Sequence, residues 1–111
     1  MNAKESYIAA FQKHIRRPGA ASLLNWLLTT DFFEAPASTK YHGNFAGGLV
    51  LHSLHVFDRM SQNCVYEFGR DCGEGIPFPP DRMESIAIAA LLHDICKAEF
   101  YKIDYKNQKV Y

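Results

Sequence analysis

Apolar residues recur at helical spacing near the start of the chain. Ile8, Phe11 and Ile15 lie three and four residues apart, which places them on one face of a helix. Asn2 and Glu5 have the spacing of a capping box, in which side chains bind the free backbone N–H groups of a first turn. The pattern predicts a first helix that begins at these two residues.

Proline and glycine divide the next part of the chain. Pro18-Gly19 is expected to end the first helix, and residues 21–30 (ASLLNWLLTT) predict a second, mostly buried helix. Residues 31–48 are rich in proline, serine, threonine and glycine, which predicts a loop. A third helix of about five turns is expected from Gly47-Gly48 to about Phe68.

A fourth helix is predicted in the last third of the chain. Residues 69–80 contain glycines and prolines and predict a second loop. Residues 82 to about 97 (RMESIAIAALLHDICK) then have the pattern of a helix. Asp81 is the expected N-cap, because Glu84 follows it at the spacing of a capping box.

The pattern changes from helical to alternating after the fourth helix. Tyr101, Ile103 and Tyr105 alternate with charged residues, which predicts a strand, and residues 109–111 begin a return strand. A hairpin with so short a second strand is only marginally stable. We therefore expect the chain to be the front part of a longer domain; the alternative is a short native protein with a frayed end.

The composition is that of one globular domain. Of 111 residues, 48% are hydrophobic and 22% charged, which suffices to bury a core. Twelve basic residues balance twelve acidic ones, so the net charge does not support a nucleic-acid partner, although a local patch stays open. No apolar run predicts a membrane span or a signal peptide. Three cysteines without Cys-x-x-Cys spacing favour reduced thiols, so we expect a cytoplasmic protein.

Histidines interrupt the apolar pattern of the third helix. His52 and His55 are three residues apart and Arg59 follows four residues later, so all three lie on or near one face. Leu51 and Leu54 are expected to face the core. A single histidine in such a stretch is more often a hydrogen-bonded core residue than a metal ligand.

A His-Asp pair lies in the apolar run of the fourth helix. His93 shares a stripe with Ile86, Ala90 and Lys97, so it is expected to point towards the core. Asp94 is about 100° further around a regular helix; at a helix end, the two side chains can flank one site. A buried carboxylate is costly without a partner, and a divalent cation with imidazole ligands removes that cost.

The third and fourth helices can form a metal site if they pack side by side. His52, His93 and Asp94 would then converge on one divalent ion, and this ligand mix suits Mn, Fe, Co, Ni or Zn, with Mg also open. Spacing alone leaves a metal site and hydrogen-bonded core histidines as equal alternatives. A third alternative is a structural metal site with His52, His55 and Cys96, in which chelation would unfold the protein.

Two segments together resemble the HD-domain superfamily of metal-dependent phosphohydrolases. AIAALLHDICK is similar to the His-Asp-Ile-Gly-Lys signature that follows an apolar helix in that family. GGLVLHSL resembles the Gly-Gly-Leu-x-x-His-Ser segment of one branch, which includes the HD domain of certain bacterial exoribonucleases that act from the 3′ end. Tyr41-His42 fits the same branch. The resemblance spans about residues 41–100, and two motifs in this order are more specific than either alone.

The resemblance implies an all-α, HD-domain-like helical bundle with a short β-hairpin after the HD helix. The chain, 1–111, would be a single domain that lacks its C-terminal part. Its N-terminal helices would occupy residues 1–40, the metal-site core residues 41–100, and the start of the hairpin residues 101–111.

The resemblance also implies an enzyme that hydrolyses a nucleotide or another phosphoester with metal-activated water. His52, His93 and Asp94 would bind the divalent ion, Asp94 would also orient the water, and Lys97 would neutralise a phosphate oxygen. The partner would be a phosphorylated small molecule or nucleotide, and the oligomeric state is left open. Candidate substrate contacts are His42, Arg59, Tyr101 and Tyr105.

Two positions depart from the family pattern. Cys96 replaces the usual glycine of the signature. The fourth ligand of the family is a later aspartate, whereas the carboxylates after Asp94 are Glu99 and Asp104, both closer than the pattern requires. The alternative function is therefore a non-catalytic helical module that binds a nucleotide or a protein partner.

Overall fold

α-Helices form most of the described part of the chain. The computed structural model describes residues 2–36, 46–73 and 75–97, together with the backbone of 102–103 and 109–110. The predicted all-α class is confirmed. The helices are α1 (Ala3–His14), α2 (Ala20–Thr29), α3 (Gly48–Cys72) and α4 (Pro80–Leu92), followed by a 3-10 helix at Ile95–Lys97.

Two short strands follow the helices. β1 (Lys102–Ile103) pairs antiparallel with β2 (Lys109–Val110), with Lys102 opposite Val110. Most of the predicted hairpin, including Tyr101 and Tyr105, lies outside the described residues. The hairpin as a whole, and the division of the chain into three parts of one domain, stay predictions.

α1 begins where the capping-box pattern predicted. The side-chain oxygen of Asn2 accepts a hydrogen bond of 2.8 Å from the N–H of Glu5. The helix ends at His14, earlier than predicted, because Ile15 is extended (φ −103°, ψ 110°) and its side chain is buried. The next N–H, that of Arg16, donates to a carboxylate on α4 instead of to a carbonyl of α1.

α4 begins one residue before the predicted N-cap. Pro79 is the N-cap, without a side-chain hydrogen bond, and Pro80 is the first helical residue. Proline suits that position because its backbone angle fits a helix and the missing N–H would have had no helical partner. Asp81 therefore lies in the first turn, so its predicted capping role was wrong. Glu84 accepts the hydrogen bond from Arg16 of the preceding paragraph.

α2 is less buried than its composition suggested. Leu24 and Leu27 are buried, three residues apart on one face. Trp26 is 50% exposed and Leu28 is 44% exposed, on the opposite side. The prediction of a mostly buried helix was therefore wrong, because one stripe of α2 alone contacts the core.

α3 is 25 residues long and extends four residues further than predicted. It continues through Gly69, at a cost of about 1 kcal/mol relative to alanine, and Arg70 forms a 3.3 Å ion pair with Glu67 one turn earlier. It ends before Gly73, whose positive φ of 90° glycine adopts readily. Despite this length, none of the described helices is both long enough and apolar enough to cross a membrane.

The core lies where α1, α3 and α4 pack together, and the segment after α2 contributes to it. Phe32, Phe33 and Ala35 are buried, although residues 31–48 were predicted to be a loop. These side chains are part of the core, so the start of that segment is a structural element. The buried residues of the core are Tyr7, Phe11, Ile15, Leu24, Leu27, Phe32, Phe33, Ala35, Leu49, Val50, Ala87 and Leu91.

The same segment holds the start of α3. The N–H of Gly47 donates to the carbonyl of Glu34, and the N–H of Leu49 donates to the carbonyl of Ala35, both at 2.9 Å. These carbonyls satisfy two N–H groups of a helix start whose glycine N-cap has no side chain to do so. His52, in the second turn of α3, is thereby held in place relative to the core.

Candidate metal site

His52, His93 and Asp94 lie together where α3 packs against the end of α4. The Nε2 atoms of the two histidines are 3.3 Å apart. Oδ2 of Asp94 lies 3.5 Å from Nε2 of His52 and 3.1 Å from Nε2 of His93. Among the described residues, this is the one group of three with the arrangement of metal ligands. The structure thus brings together the three side chains that were predicted to bind a metal.

The separations of these three atoms fit ligands on one side of a metal ion. An ion about 2.1 Å from two ligands separates them by about 3.0 Å at a right angle and about 3.4 Å at the tetrahedral angle. The observed separations, 3.1 to 3.5 Å, lie close to this interval. One ion can therefore contact all three atoms and keep its opposite side open to water or another ligand.

The end of α4 allows two consecutive residues to face one point. α4 ends at Leu92, His93 is its C-cap, and Asp94 belongs to the turn before the 3-10 helix. The N–H of Lys97 donates to the carbonyl of Asp94 at 3.0 Å, which closes that turn. In a continuous helix the two side chains would diverge by about 100°. The helix was predicted to run to about residue 97, and its earlier end is what makes the cluster possible.

The ring of His93 is oriented by the backbone of α4. Its Nδ1 lies 2.6 Å from the carbonyl oxygen of Ala90. A carbonyl oxygen only accepts, so Nδ1 carries the hydrogen and donates it, and Nε2 of the neutral ring keeps its lone pair. Metal-binding histidines usually donate their second N–H in this way. The free lone pair of His93 therefore points at the cluster.

The cluster lies at the edge of the core. The side chains of His52, His93 and Asp94 are 43%, 32% and 19% exposed. Ile86 and Ala90 of the predicted stripe are buried, but His93 is not, because the helix ends before it. Its predicted orientation towards the core was therefore wrong. Partial exposure gives water and a small ligand access to the three polar atoms.

Burial lowers the pKa of His52. The Asp94 carboxylate opposes this shift, whereas the neighbouring His93 and Lys97 add to it. The net effect favours the neutral imidazole, which is the form that binds metal ions.

The core-facing stripe of α3 is displaced from its predicted position. Leu49, Val50 and Ser53 are buried, whereas Leu51 and Leu54 are half-buried. The rotation of α3 about its axis is set by its packing against α1 and α4, which local spacing does not determine. His52 consequently lies beside the buried stripe and at the rim of the core.

Lys97 reaches the cluster from the 3-10 helix. Its Nζ is 3.7 Å from Oδ2 of Asp94, the same oxygen that both imidazoles approach. Arg59 is exposed on α3, seven residues after His52 and thus about 10 Å along the axis. Its role in substrate binding stays a prediction, and His42, Tyr101 and Tyr105 lie outside the described residues.

The alternative site with His55 and Cys96 finds no support in the described part of the chain. Both side chains are exposed, and neither is in the group that contains His52. His55 thus serves as a natural control for His52, on the same helix and one turn away.

Tyr7 is a structural residue of this region that sequence analysis did not identify. Its ring is fully buried, and its hydroxyl donates a 2.7 Å hydrogen bond to the carbonyl of Leu91, two residues before His93. Burial raises the pKa of the Tyr7 hydroxyl above its usual value, so the hydroxyl keeps its proton. The available signal was a tyrosine one turn before Phe11 on the core face, because a buried tyrosine hydroxyl usually has a partner.

No family model, no curated protein and no solved structure matches this chain. The resemblance to the HD-domain superfamily therefore stays a prediction that rests on the two sequence segments.

Proposed function

We propose that this protein is a metal-dependent phosphohydrolase in which His52, His93 and Asp94 bind one divalent ion. The observation that carries the proposal is the triangle of two imidazole nitrogens and one carboxylate oxygen, with sides of 3.1 to 3.5 Å. The motif resemblance agrees with it, but the geometry supports a cation site on its own terms.

The contact between His93 and Asp94 requires a cation. Because Nδ1 of His93 carries the hydrogen, Nε2 of the neutral ring and Oδ2 of Asp94 are both acceptors, 3.1 Å apart. Two facing lone pairs repel each other unless a proton or a metal ion lies between them. The Nε2 atom of His52 completes a set of three donors, which favours a metal ion over a proton.

The number of ligands favours catalysis over a purely structural role. Three protein ligands leave positions free on the ion, as in catalytic zinc sites, whereas structural sites use four protein ligands. Such an ion lowers the pKa of a bound water and polarises a phosphoryl oxygen. Asp94 can orient the water, and Lys97 at the rim can stabilise negative charge on the phosphoryl group.

A non-catalytic binding module is the second candidate. The ammonium group of Lys97 lies 3.7 Å from the Asp94 carboxylate and reduces its charge without a metal ion. The described residues also offer three ligands where the family pattern has four. A protein that binds a nucleotide without turnover would support this alternative.

The first experiment measures metal binding and turnover separately. Metal-stripped protein is titrated calorimetrically with Mn²⁺, Co²⁺ and Zn²⁺. Loaded protein is then assayed for hydrolysis of bis(p-nitrophenyl) phosphate and of a nucleotide panel. We expect one ion per chain and metal-dependent turnover. Binding of one ion without turnover favours the non-catalytic module, and no binding of any of the three metals overturns the metal site.

Matched variants assign the ligands. His52→Ala and Asp94→Asn are expected to lose metal binding and turnover together. His55→Ala, on the same helix but outside the cluster, should behave like the wild type. Lys97→Met should keep the ion and lose turnover. Equal loss in His52→Ala and His55→Ala would contradict the ligand assignment.

A further inference from the structure

One buried hydroxyl holds the end of the helix that carries His93. The last carbonyl groups of a helix have no partners within it. At the end of α4, the carbonyl of Leu91 accepts from the hydroxyl of Tyr7 at 2.7 Å, and the carbonyl of Ala90 accepts from Nδ1 of His93 at 2.6 Å. Two consecutive carbonyls are thus bound by side chains, one from α1 and one from a candidate ligand.

The same tyrosine ring packs on the segment that holds the start of α3. Its centroid lies 5.0 Å from that of Phe32 and 5.6 Å from that of Phe33. The next two residues, Glu34 and Ala35, accept the hydrogen bonds from the start of α3, the helix of His52. Tyr7 therefore contacts the structures that place both histidines.

We propose that Tyr7 is a positioning residue for the metal site, through its hydrogen bond to Leu91 and its packing on Phe32 and Phe33; this inference rests on the proposed function. Metal ligands must be held within about 0.5 Å of their productive positions. Tyr7 is fully buried, so water does not replace its hydroxyl as a donor to Leu91. Without that donor, the end of α4 can move relative to α3, which separates His93 from His52.

Tyr7→Phe tests the hydrogen bond because it keeps the ring and removes the hydroxyl. Co²⁺ is the probe, since the intensity and position of its visible absorption bands depend on coordination geometry. We expect Tyr7→Phe to weaken Co²⁺ binding by roughly 10-fold or more, the effect typical of a group that supports a metal ligand. The absorption bands of the bound Co²⁺ should change as well.

Phe11→Leu is the matched control. Phe11 is one turn along α1, is equally buried in the same core, and has no hydrogen bond to α4. This variant should lower stability and leave the Co²⁺ affinity and spectrum unchanged. The inference is overturned if Tyr7→Phe binds Co²⁺ like the wild type, or if Phe11→Leu shows the same loss and the same spectral change.

A measurement on the metal-free protein separates this inference from the proposed function. The ¹⁵N NMR shifts of the His93 ring report which nitrogen carries the hydrogen. We expect a protonated Nδ1 in the wild type, in agreement with its bond to Ala90, and a mixture of tautomers in Tyr7→Phe. If the wild type binds no metal, the proposed function fails, whereas a changed His93 tautomer in Tyr7→Phe still supports positioning of His93. An unchanged His93 spectrum in Tyr7→Phe overturns the positioning role in either case.

Discussion

The backbone N–H of Arg16 donates a 2.6 Å hydrogen bond to Oε2 of Glu84, a residue 68 positions later in the chain. The other carboxylate oxygen of Glu84 accepts from Nε of Arg17 at 3.2 Å. One side chain of α4 thereby binds both residues that follow the end of α1. This contact connects the two helices at the end opposite to the Tyr7–Leu91 hydrogen bond.

The Glu84 contact predicts a pH dependence of stability. The hydrogen bond from the N–H of Arg16, and then those from Arg17, hold the pKa of Glu84 below its ordinary value of 4.5. A carboxylate with a lowered pKa stabilises the fold above its unfolded pKa, and this contribution disappears as the pH falls through the folded pKa. Glu84→Gln should therefore lose less stability than the wild type between about pH 5 and about pH 3 in thermal unfolding.

Glu67→Gln is the control for that experiment. Glu67 pairs with Arg70 on the exposed surface of α3, one turn away, and makes no contact between helices. Its substitution should leave the pH profile of the wild type unchanged. Parallel profiles for Glu84→Gln and the wild type would contradict the role given to Glu84.

Ser53 predicts a stabilising substitution. Its side chain is completely buried in α3, and its hydroxyl has no hydrogen-bond partner within the described part of the chain. Burying an unpaired hydroxyl is unfavourable, so Ser53→Ala should raise the free energy of unfolding by about 1 kcal/mol. Ser61→Ala is the comparison, because the Ser61 hydroxyl donates to the carbonyl of Phe57 at 2.7 Å. Chemical denaturation of both variants checks this; a destabilised Ser53→Ala would show that the hydroxyl has a partner.

Phe32 tests whether the segment after α2 is structural. Phe32 is fully buried and packs edge-on against Phe33 and beside Tyr7. Phe32→Ala should lower the free energy of unfolding by about 3–5 kcal/mol, as expected for a large aromatic side chain removed from a core. Trp26→Ala, at a half-exposed position of α2, should cost much less. Equal costs in urea denaturation would argue against a core role for this segment.

Metal removal should lower stability without unfolding the protein. The buried core contains none of the three candidate ligands, so the fold does not depend on the ion. Saturation with Co²⁺ at about 100 times its Kd should add about 2.7 kcal/mol to the free energy of unfolding. A chelator should reverse this increase and leave the helical circular dichroism intact. Loss of the helical signal on chelation would instead indicate a structural metal site.

The sequence predicted the existence of all four helices but not all of their ends. Ile8, Phe11 and Ile15 mark the core face of α1 at simple helical spacing, and each is buried or packs against the core. The early end of α1 depends on an acceptor for the N–H of Arg16, and that acceptor, Glu84, comes from a distant helix. Local patterns contain no information on such a partner.

The contribution of residues 32–35 to the core was hidden by their surroundings. Proline, serine and threonine follow them closely, and the composition of the whole segment is that of a loop. Phe32, Phe33 and Ala35 are buried because α1 and the start of α3 pack on them. Burial of this kind depends on what covers a segment, which its own sequence does not specify.

The sequence by itself determined the helical class and the identities of the three candidate ligands, because residue type and period-3.6 spacing are local properties. Only the tertiary structure decided that His52, His93 and Asp94 come within 3.5 Å of one another. That proximity depends on how α3 is rotated against α4 and on the residue at which α4 ends. Both are set by contacts between residues far apart in the chain, such as Tyr7 with Leu91, which no local pattern contains.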